Sequence, residues 1–421
     1  LYRYFWVTLV AAAALLVFSL QWMIGEIGPW RIDLEVYRHG VEAWWNGRDI
    51  YGKLPPSAGG LDLPFIYPPF SLVILLPFAV LPFTPAVVAL FVVNLLCLGV
   101  TLYVVAKSVW KAGGTRGALA VAALALPLAL FLEPINATFR FGQINIILMA
   151  LVAVDCLVER PLTGNRRWAR GIGVGLAAAI KLTPAAFVLY FLVRRDFRAA
   201  IVAAVTGVVA SAIGFAIAPQ ASVDYWFGGL AGASKVGGVP FLTNQSVQAV
   251  VVRLGFPSLT TTVVWLLLVL VLLALVVAAM RRADPATALM VNAGFALLAS
   301  PTSWSHYWIW VAPALVVMLA AAVRQVRAGS PAWIGWLVAA AATAVVCYLA
   351  PFNGLPGFDN REMSWTSSQQ VLGASYPILG YALILAYAVP AILRRKPAGL
   401  DSPVMPPVGA VNRSSSGEET G

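Results

Sequence analysis

Leu259-Thr-Thr-Thr-Val-Val-Trp-Leu-Leu-Leu-Val-Leu-Val-Leu-Leu-Ala-Leu-Val-Val-Ala-Ala-Met280 runs directly into Arg281-Arg282. As an α-helix the stretch rises about 33 Å, enough for a hydrocarbon core of about 30 Å. The arginine pair stops it at one membrane edge. Apolar runs of 15 to 22 residues recur along all 421 residues. Hydrophobic residues make up 61% of the chain and charged residues 11%, with a mean hydropathy of +0.85. A soluble domain carries about 25% charged residues. The chain is therefore expected to be an all-α polytopic membrane protein of about 10 to 12 membrane segments.

Lys and Arg orient it. Lys107, Lys111 and Arg116 form one short basic loop, Arg160, Arg166, Arg167 and Arg170 a second, and Arg194, Arg195 and Arg198 a third. Arg281 with Arg282, Arg324 with Arg327, and Arg394, Arg395 and Lys396 complete the set. The positive-inside rule makes these loops cytoplasmic. Loops 25–66, 133–141, 219–258, 300–307 and 351–375 then lie outside, and every basic loop falls on the inner side. Residues 171–193 lie between two basic loops and are split at Lys181-Leu-Thr-Pro184. Each half is only about 16 Å long, so they are expected to form a broken, re-entrant pair with its tip toward the outer side. Residues 70–83, with Pro77 and Pro82, are expected to be a short helix dipping into the outer leaflet. Residues 1–398 are expected to form the membrane body. Residues 399–421, rich in Pro, Ser and Gly, have too little apolar surface to fold and are expected to be a disordered cytoplasmic tail.

The chain begins at Leu1 rather than Met, which points to a start trimmed or assigned late. The first span lacks a small-residue cleavage site and is expected to stay. Cys97, Cys156 and Cys347 lie in or beside apolar segments and form no CxxC, so neither metal nor redox cofactor is expected. The net charge of +11 is a matter of membrane orientation and not of nucleic-acid binding. The expected surroundings are a lipid bilayer.

The outer loops carry the polar constellation. Ile32-Asp-Leu-Glu-Val-Tyr37 opens the first of them. Asp33 and Glu35, at i and i+2, point to different sides of a helix, so one of them faces a site. Trp44 and Trp45 suit an interface anchor. Phe65-Ile-Tyr-Pro-Pro-Phe70 is held extended by its prolines, with Tyr67 as a hydroxyl donor. Arg140, Gln143 and Asn145 gather where a span begins. Gly142 permits close backbone approach, the amides match sugar hydroxyls, and the Arg140 fork matches phosphate. Lys181 is a lysine inside an apolar stretch, where a charge costs roughly 3 kcal/mol and marks function. Asn244-Gln-Ser246 has the form of a glycosylation sequon. Ser300-Pro-Thr-Ser-Trp-Ser-His-Tyr-Trp308 sets His306 among hydroxyls and aromatics, with Trp304 as a stacking platform.

Six motifs taken together resemble glycosyltransferase family 87: Asp33-Leu-Glu-Val-Tyr, Tyr67-Pro-Pro-Phe, Phe141-Gly-Gln-Ile-Asn, Lys181-Leu-Thr-Pro, Asn244-Gln-Ser and Ser300-Pro-Thr-Ser-Trp-Ser-His. The nearer resemblance is to its polyprenyl-phosphomannose-dependent α-1,2-mannosyltransferases of mycobacterial phosphatidylinositol mannoside and lipomannan assembly. The resemblance implies a GT-C multispan fold with an extracytoplasmic site. It implies a polyprenyl-phosphate-mannose donor and a glycolipid or lipoglycan acceptor. A β-linked mannosyl phosphate that becomes an α-mannoside implies single displacement with inversion. Asp33 is then the expected base, and His306, Lys181 and Arg140 the expected phosphate partners. Glu35, Tyr67, Gln143, Asn145, Asn244 and Trp304 are the expected substrate contacts. Relatives often carry two consecutive His where this chain has His306-Tyr307.

Two other readings compete. A polyprenyl-phosphoarabinose-dependent arabinofuranosyltransferase belongs to the same family. A transporter or flippase also uses broken helices and intramembrane charge, but its polar residues follow a midplane path, whereas here they gather at one face.

Overall fold

The computed structural model describes residues 4–26, 31–158, 170–228 and 238–393. Arg160, Arg166, Arg167, Arg394, Arg395 and Lys396, and the tail from 399 to 421, lie outside the described residues. The first half of the chain comprises α1 (Phe5–Glu26), α2 (Ile32–Trp45), α3 (Ser71–Val80), α4 (Phe83–Val109), α5 (Gly114–Ala129), α6 (Glu133–Phe141) and α7 (Asn145–Leu157). Then come α8 (Ile172–Ile180), α9 (Val188–Val193), α10 (Phe197–Ile217), α11 (Pro219–Trp226), α12 (Val247–Arg253) and α13 (Ser258–Met280). The chain closes with α14 (Pro285–Ala299), α15 (Val311–Arg327), α16 (Ala332–Leu349), α17 (Ser367–Gly373) and α18 (Ser375–Leu393).

Among the described residues seven helices are long and apolar enough to cross a membrane, and α17 with α18 forms an eighth bent by 66°. The expected 10 to 12 segments are reached only by adding shorter helices. Of these, α7 and α14 have 13 and 15 residues. They need not face lipid along their length, because neighbours enclose them. α7 packs on α4, α8 and α14, and Ile146, Met149, Val152 and Ala153 along it are buried. α10 and α13 instead leave Val208 and Leu259 among their many outward apolar residues, as a lipid-facing helix does. α3 is the short helix expected over 70–83, with Pro77 inside it, and it lies against α2. Trp45 is exposed as an anchor would be, while the Trp44 indole donates to the Ile217 carbonyl at 2.9 Å.

The basic loops meet in one layer. Arg327 lies over the Trp110 ring at 5.3 Å. Arg324 donates to the Val109 carbonyl at 3.4 Å and pairs with Asp284 at 3.7 Å. Arg194 reaches the Ala283 carbonyl at 3.3 Å, and Arg170 pairs with Asp196 at 3.1 Å. Helix starts in this layer are capped by side chains: Asp196 accepts from Ala199 N and Asp284 from Thr287 N, both at 3.1 Å. Such caps satisfy backbone donors that a helix start leaves open.

α7 and α8 form the hairpin that carries Lys181. Asp155, near the end of α7, accepts from the backbone N of Gly171 and of Val174 at 2.9 Å. It therefore pins the start of α8 to α7. Glycines let the backbones close: a Cβ on Gly173 would lie 2.6 Å from the Leu151 carbonyl, and one on Gly175 would run into the Ala203 carbonyl of α10. Small residues at such crossings are how membrane helices approach closely. Nine residues later α8 ends at Lys181, whose backbone is extended. A short 3₁₀ turn, Thr183–Phe187, and α9 lead back to Arg194 in the basic layer. The excursion begins and ends in that layer and turns at Lys181, which is the re-entrant form expected from its length.

Candidate active site

The site is built on the first turn of α2. Asp33 and Tyr37, four apart, share a face of the helix. Glu35 points elsewhere, and its carboxylate accepts the Ala58 backbone N at 2.8 Å. α6 ends at Gly142 in the left-handed conformation, φ 72 and ψ 43. A Cβ there would sit 2.9 Å from the Leu34 Cβ. The corner between α6 and α7 can nest on α2 only because residue 142 has no side chain.

That nesting brings Gln143 to Asp33. The Tyr37 hydroxyl donates to Gln143 Oε1 at 2.8 Å and lies 3.2 Å from the Tyr67 hydroxyl. With its oxygen occupied, the Gln143 side chain turns its amide toward Asp33, where it favours the carboxylate. The Gln143 backbone is held as well, its carbonyl accepting from Asn94 Nδ2 at 2.8 Å. Burial pushes the Asp33 carboxyl up to about 6, while the Gln143 hydrogen bond and the nearby Lys181 charge pull it back. Burial raises the Tyr37 and Tyr67 hydroxyls too, so both remain protonated donors.

Lys181 lies near Asp33 at the end of α8, where the re-entrant segment turns. Its ammonium donates to Asn145 Oδ1 at 2.9 Å. It lies 3.8 Å from the centre of the Tyr307 ring and 5.5 Å from that of Tyr67. Asn145 Nδ2 turns the other way, to the His306 carbonyl at 3.4 Å, which also accepts from Thr138 Oγ1 at 3.1 Å. The His306 ring stands edge-on to Phe141 at 5.4 Å and to Tyr307 at 4.9 Å. The side chain is 8% exposed, and its Nε2 has no hydrogen-bond partner among the described residues. Such a buried, unpaired nitrogen costs free energy unless something binds it.

Asp33, Tyr67, Gln143, Asn145, Lys181 and His306 thus come together from five separated stretches of chain. Arg140 stands at the rim, exposed, with its guanidinium 5.4 Å from the Phe141 ring. Asn244 and Trp304 do not join the cluster. The Asn244 side chain is fully buried, donates to the Val239 carbonyl at 3.0 Å and accepts Ser303 N at 2.9 Å. Its backbone bridges to Trp304, whose ring packs on Phe241. Together they clasp the segment that carries His306. The same burial closes Asn244 to any modification in the folded chain.

Tyr37 and Tyr307 belong to the cluster although neither was an expected site residue; the i, i+4 spacing from Asp33 was a signal for Tyr37. Glu133 is a further addition. Its two oxygens accept from Ser305 Oγ at 2.8 Å and from the Tyr376 hydroxyl at 2.9 Å. Burial raises its carboxyl, and those two bonds oppose the rise. Nothing local in the sequence announces a partner 243 residues away. Among the described residues no three His, Cys, Asp or Glu side chains gather as a metal site.

One cavity touches the cluster, and a larger one lies behind it, lined by none of the cluster's residues. The first, of about 50 Å³, lies beside Lys181, Asn145 and Tyr307. The larger, of about 930 Å³, runs between α14, α15, α16 and α18, from Trp308 to Arg324. Both are walled by Leu297 and Trp310.

The sequence matches the family model described as glycosyltransferase family 87 over residues 65–301. It is 37% identical over 385 residues to a polyprenol-phosphate-mannose-dependent α-(1-2)-phosphatidylinositol mannoside mannosyltransferase of Mycolicibacterium smegmatis, covering 86% of this chain and 84% of that one. It is 33% identical over 410 residues to a protein of the same description from Mycobacterium tuberculosis, covering 94% and 93%. A phosphatidylinositol pentamannoside mannosyltransferase of M. smegmatis, also described as polyprenol-phosphate-mannose-dependent, is 30% identical over 73% of each chain.

Proposed function

We propose that this chain, which belongs to glycosyltransferase family 87, transfers mannose from polyprenyl-phosphate-mannose to a phosphatidylinositol mannoside in an α-1,2 linkage, with inversion, on the extracytoplasmic face of the cell membrane. The observation that carries this reading is the cluster itself. A carboxylate with its basicity raised lies near a lysine, and a histidine with an unpaired nitrogen joins the same cluster through Asn145 and Tyr307. The small cavity beside the lysine shares its Leu297 and Trp310 walls with a long, mostly apolar cavity inside a multispan membrane protein. A soluble sugar nucleotide has no use for such a cavity, whereas a donor carried on a polyprenyl chain does. Sidedness is supported by the gathering of the described Lys and Arg loops at the opposite end of the bundle. The acceptor class follows the names of the more similar relatives.

The chemistry is a single displacement. The acceptor hydroxyl attacks C1 of mannose while Asp33 takes its proton, and the C1–O bond breaks with its electrons going to the phosphate. General base catalysis of this kind contributes about 10² to 10⁴ in rate. Gln143, held by Tyr37 and Tyr67, aims the carboxylate. The leaving phosphate needs no proton but does need positive and hydrogen-bonding partners. Lys181 and His306 supply them from within the cluster, and Arg140 from the rim. Glu35, Asn244 and Trp304 serve by holding the loops that bring these groups together.

Purified protein offered radiolabelled mannosyl-phosphate lipid, arabinosyl-phosphate lipid and nucleotide-linked mannose in parallel tests the reading. Label should pass to phosphatidylinositol mannoside only from the mannosyl lipid. Transfer from the nucleotide sugar with no lipid carrier present, or from the arabinosyl lipid in preference, would overturn it.

A further inference from the structure

A lysine and a carboxylate that face each other in a site of reduced dielectric attract strongly and ordinarily pair. Lys181 and Asp33 influence each other electrostatically, yet no ion pair joins them, as one joins Arg170 to Asp196 and Arg324 to Asp284. The reason is visible in what surrounds the ammonium. Asn145 Oδ1 takes one of its three N–H groups at 2.9 Å. The Tyr307 ring meets it at 3.8 Å, well inside the roughly 6 Å range of a cation–π contact. Asn145 is itself anchored through its amide N–H to the His306 carbonyl, so this acceptor cannot follow the lysine if it moves.

The separation matters for the proposed reaction. A carboxylate closed onto an ammonium is a weak base, and an ammonium closed onto a carboxylate is a poor phosphate ligand. We infer that Asn145 and Tyr307 are positioning residues that hold Lys181 toward the donor's phosphate and keep it from closing onto Asp33. The inference rests on the proposed roles of Asp33 and Lys181 and goes beyond them by assigning the control of their spacing. It gives Tyr307 a task suited to its face and not to its hydroxyl.

Other groups also act on Asp33. Tyr37, Tyr67 and Tyr307 lie close enough to interact with it, and the Gln143 amide favours its carboxylate. The test must therefore separate an effect carried by Lys181 from a general disturbance of the site.

Tyr307→Leu removes the ring face, Tyr307→Phe keeps it, and both are made in the native background and beside Lys181→Met. The readouts are the pH profile of kcat/KM and the donor KM. With the ring gone, Lys181 closes onto Asp33. The acid limb of the profile then moves to lower pH, because a nearer cation favours the carboxylate. The plateau kcat falls by about tenfold or more as the base becomes paired, and the donor KM rises. Tyr307→Phe restores limb, plateau and KM. Beside Lys181→Met, Tyr307→Leu adds nothing further, since its route is through that lysine.

An unmoved limb in Tyr307→Leu, failure of Tyr307→Phe to restore it, or full additivity with Lys181→Met would overturn the inference. If Tyr307→Leu does not fold, Asn145→Ala beside the same Lys181→Met partner decides by the same additivity. Asp33→Asn, measured alongside, keeps the two levels distinct. A fully active Asp33→Asn enzyme ends the base assignment, whereas an inactive one beside additive Tyr307 and Lys181 effects ends only the positioning role.

Discussion

The surroundings of Asp33 disagree about its charge. Burial favours the neutral acid, and Gln143 and Lys181 favour the carboxylate, leaving the group near 6. A base must be deprotonated, so kcat/KM is expected to fall by about tenfold per pH unit as the pH drops below the raised Asp33 value. Lys181→Met removes a cation that holds the value down, so its acid limb should appear at higher pH than in the native enzyme; an unchanged limb would separate Lys181 from Asp33. His306→Ala should raise the donor KM more than it lowers kcat, because Nε2 is the unpaired donor or acceptor available to the phosphate. An effect confined to kcat would move His306 from binding to chemistry. That Asp33, Lys181 and His306 would gather was legible in the sequence, because a charge or imidazole beside apolar spans is costly and stands out. That Asn244 and Trp304 would stand apart from the cluster was not legible, because a buried amide that holds a loop and one that holds a sugar look alike in one dimension.

At the scale of elements, the site depends on two close approaches. One is Gly142 on Leu34, which lets the α6–α7 corner reach α2. Gly142→Ala puts a side chain into a left-handed residue at a cost of about 1–2 kcal/mol, and its Cβ would sit 2.9 Å from Leu34 Cβ. Lower thermal stability together with a loss of kcat is the expected outcome, since Gln143 shifts with the corner. Unchanged melting and turnover would show the corner to be slack. The other is the α7–α8 hairpin with Asp155 at its base. The shortness of the two halves around Lys181-Leu-Thr-Pro184 already foretold a turn within the membrane. The partner of Lys181 was not legible, because Asn145 lies 36 residues earlier and only the antiparallel packing of α7 on α8 brings the two together.

For the whole molecule, composition and the spacing of Lys and Arg were enough to name an all-α membrane protein with a polar end and a basic end. The number of full crossings was not, since α7 and α14 are apolar yet too short and are sheltered by neighbours. The polar end is predicted to be extracytoplasmic. In a background lacking Cys97, Cys156 and Cys347, an impermeant thiol reagent on intact cells should label Lys53→Cys and spare Lys111→Cys, both exposed positions. The reverse pattern would invert the scheme. In the proposed mechanism Asp33 drives mannose transfer from a lipid-linked donor. Its most direct test is single-turnover transfer from polyprenyl-phosphate-mannose to phosphatidylinositol mannoside by native and Asp33→Asn protein reconstituted in bilayers, with donor binding measured in parallel. The predicted result is a rate lower by about 10² to 10⁴ in the variant with donor binding little changed; an Asp33→Asn protein that transfers mannose at the native rate would contradict it.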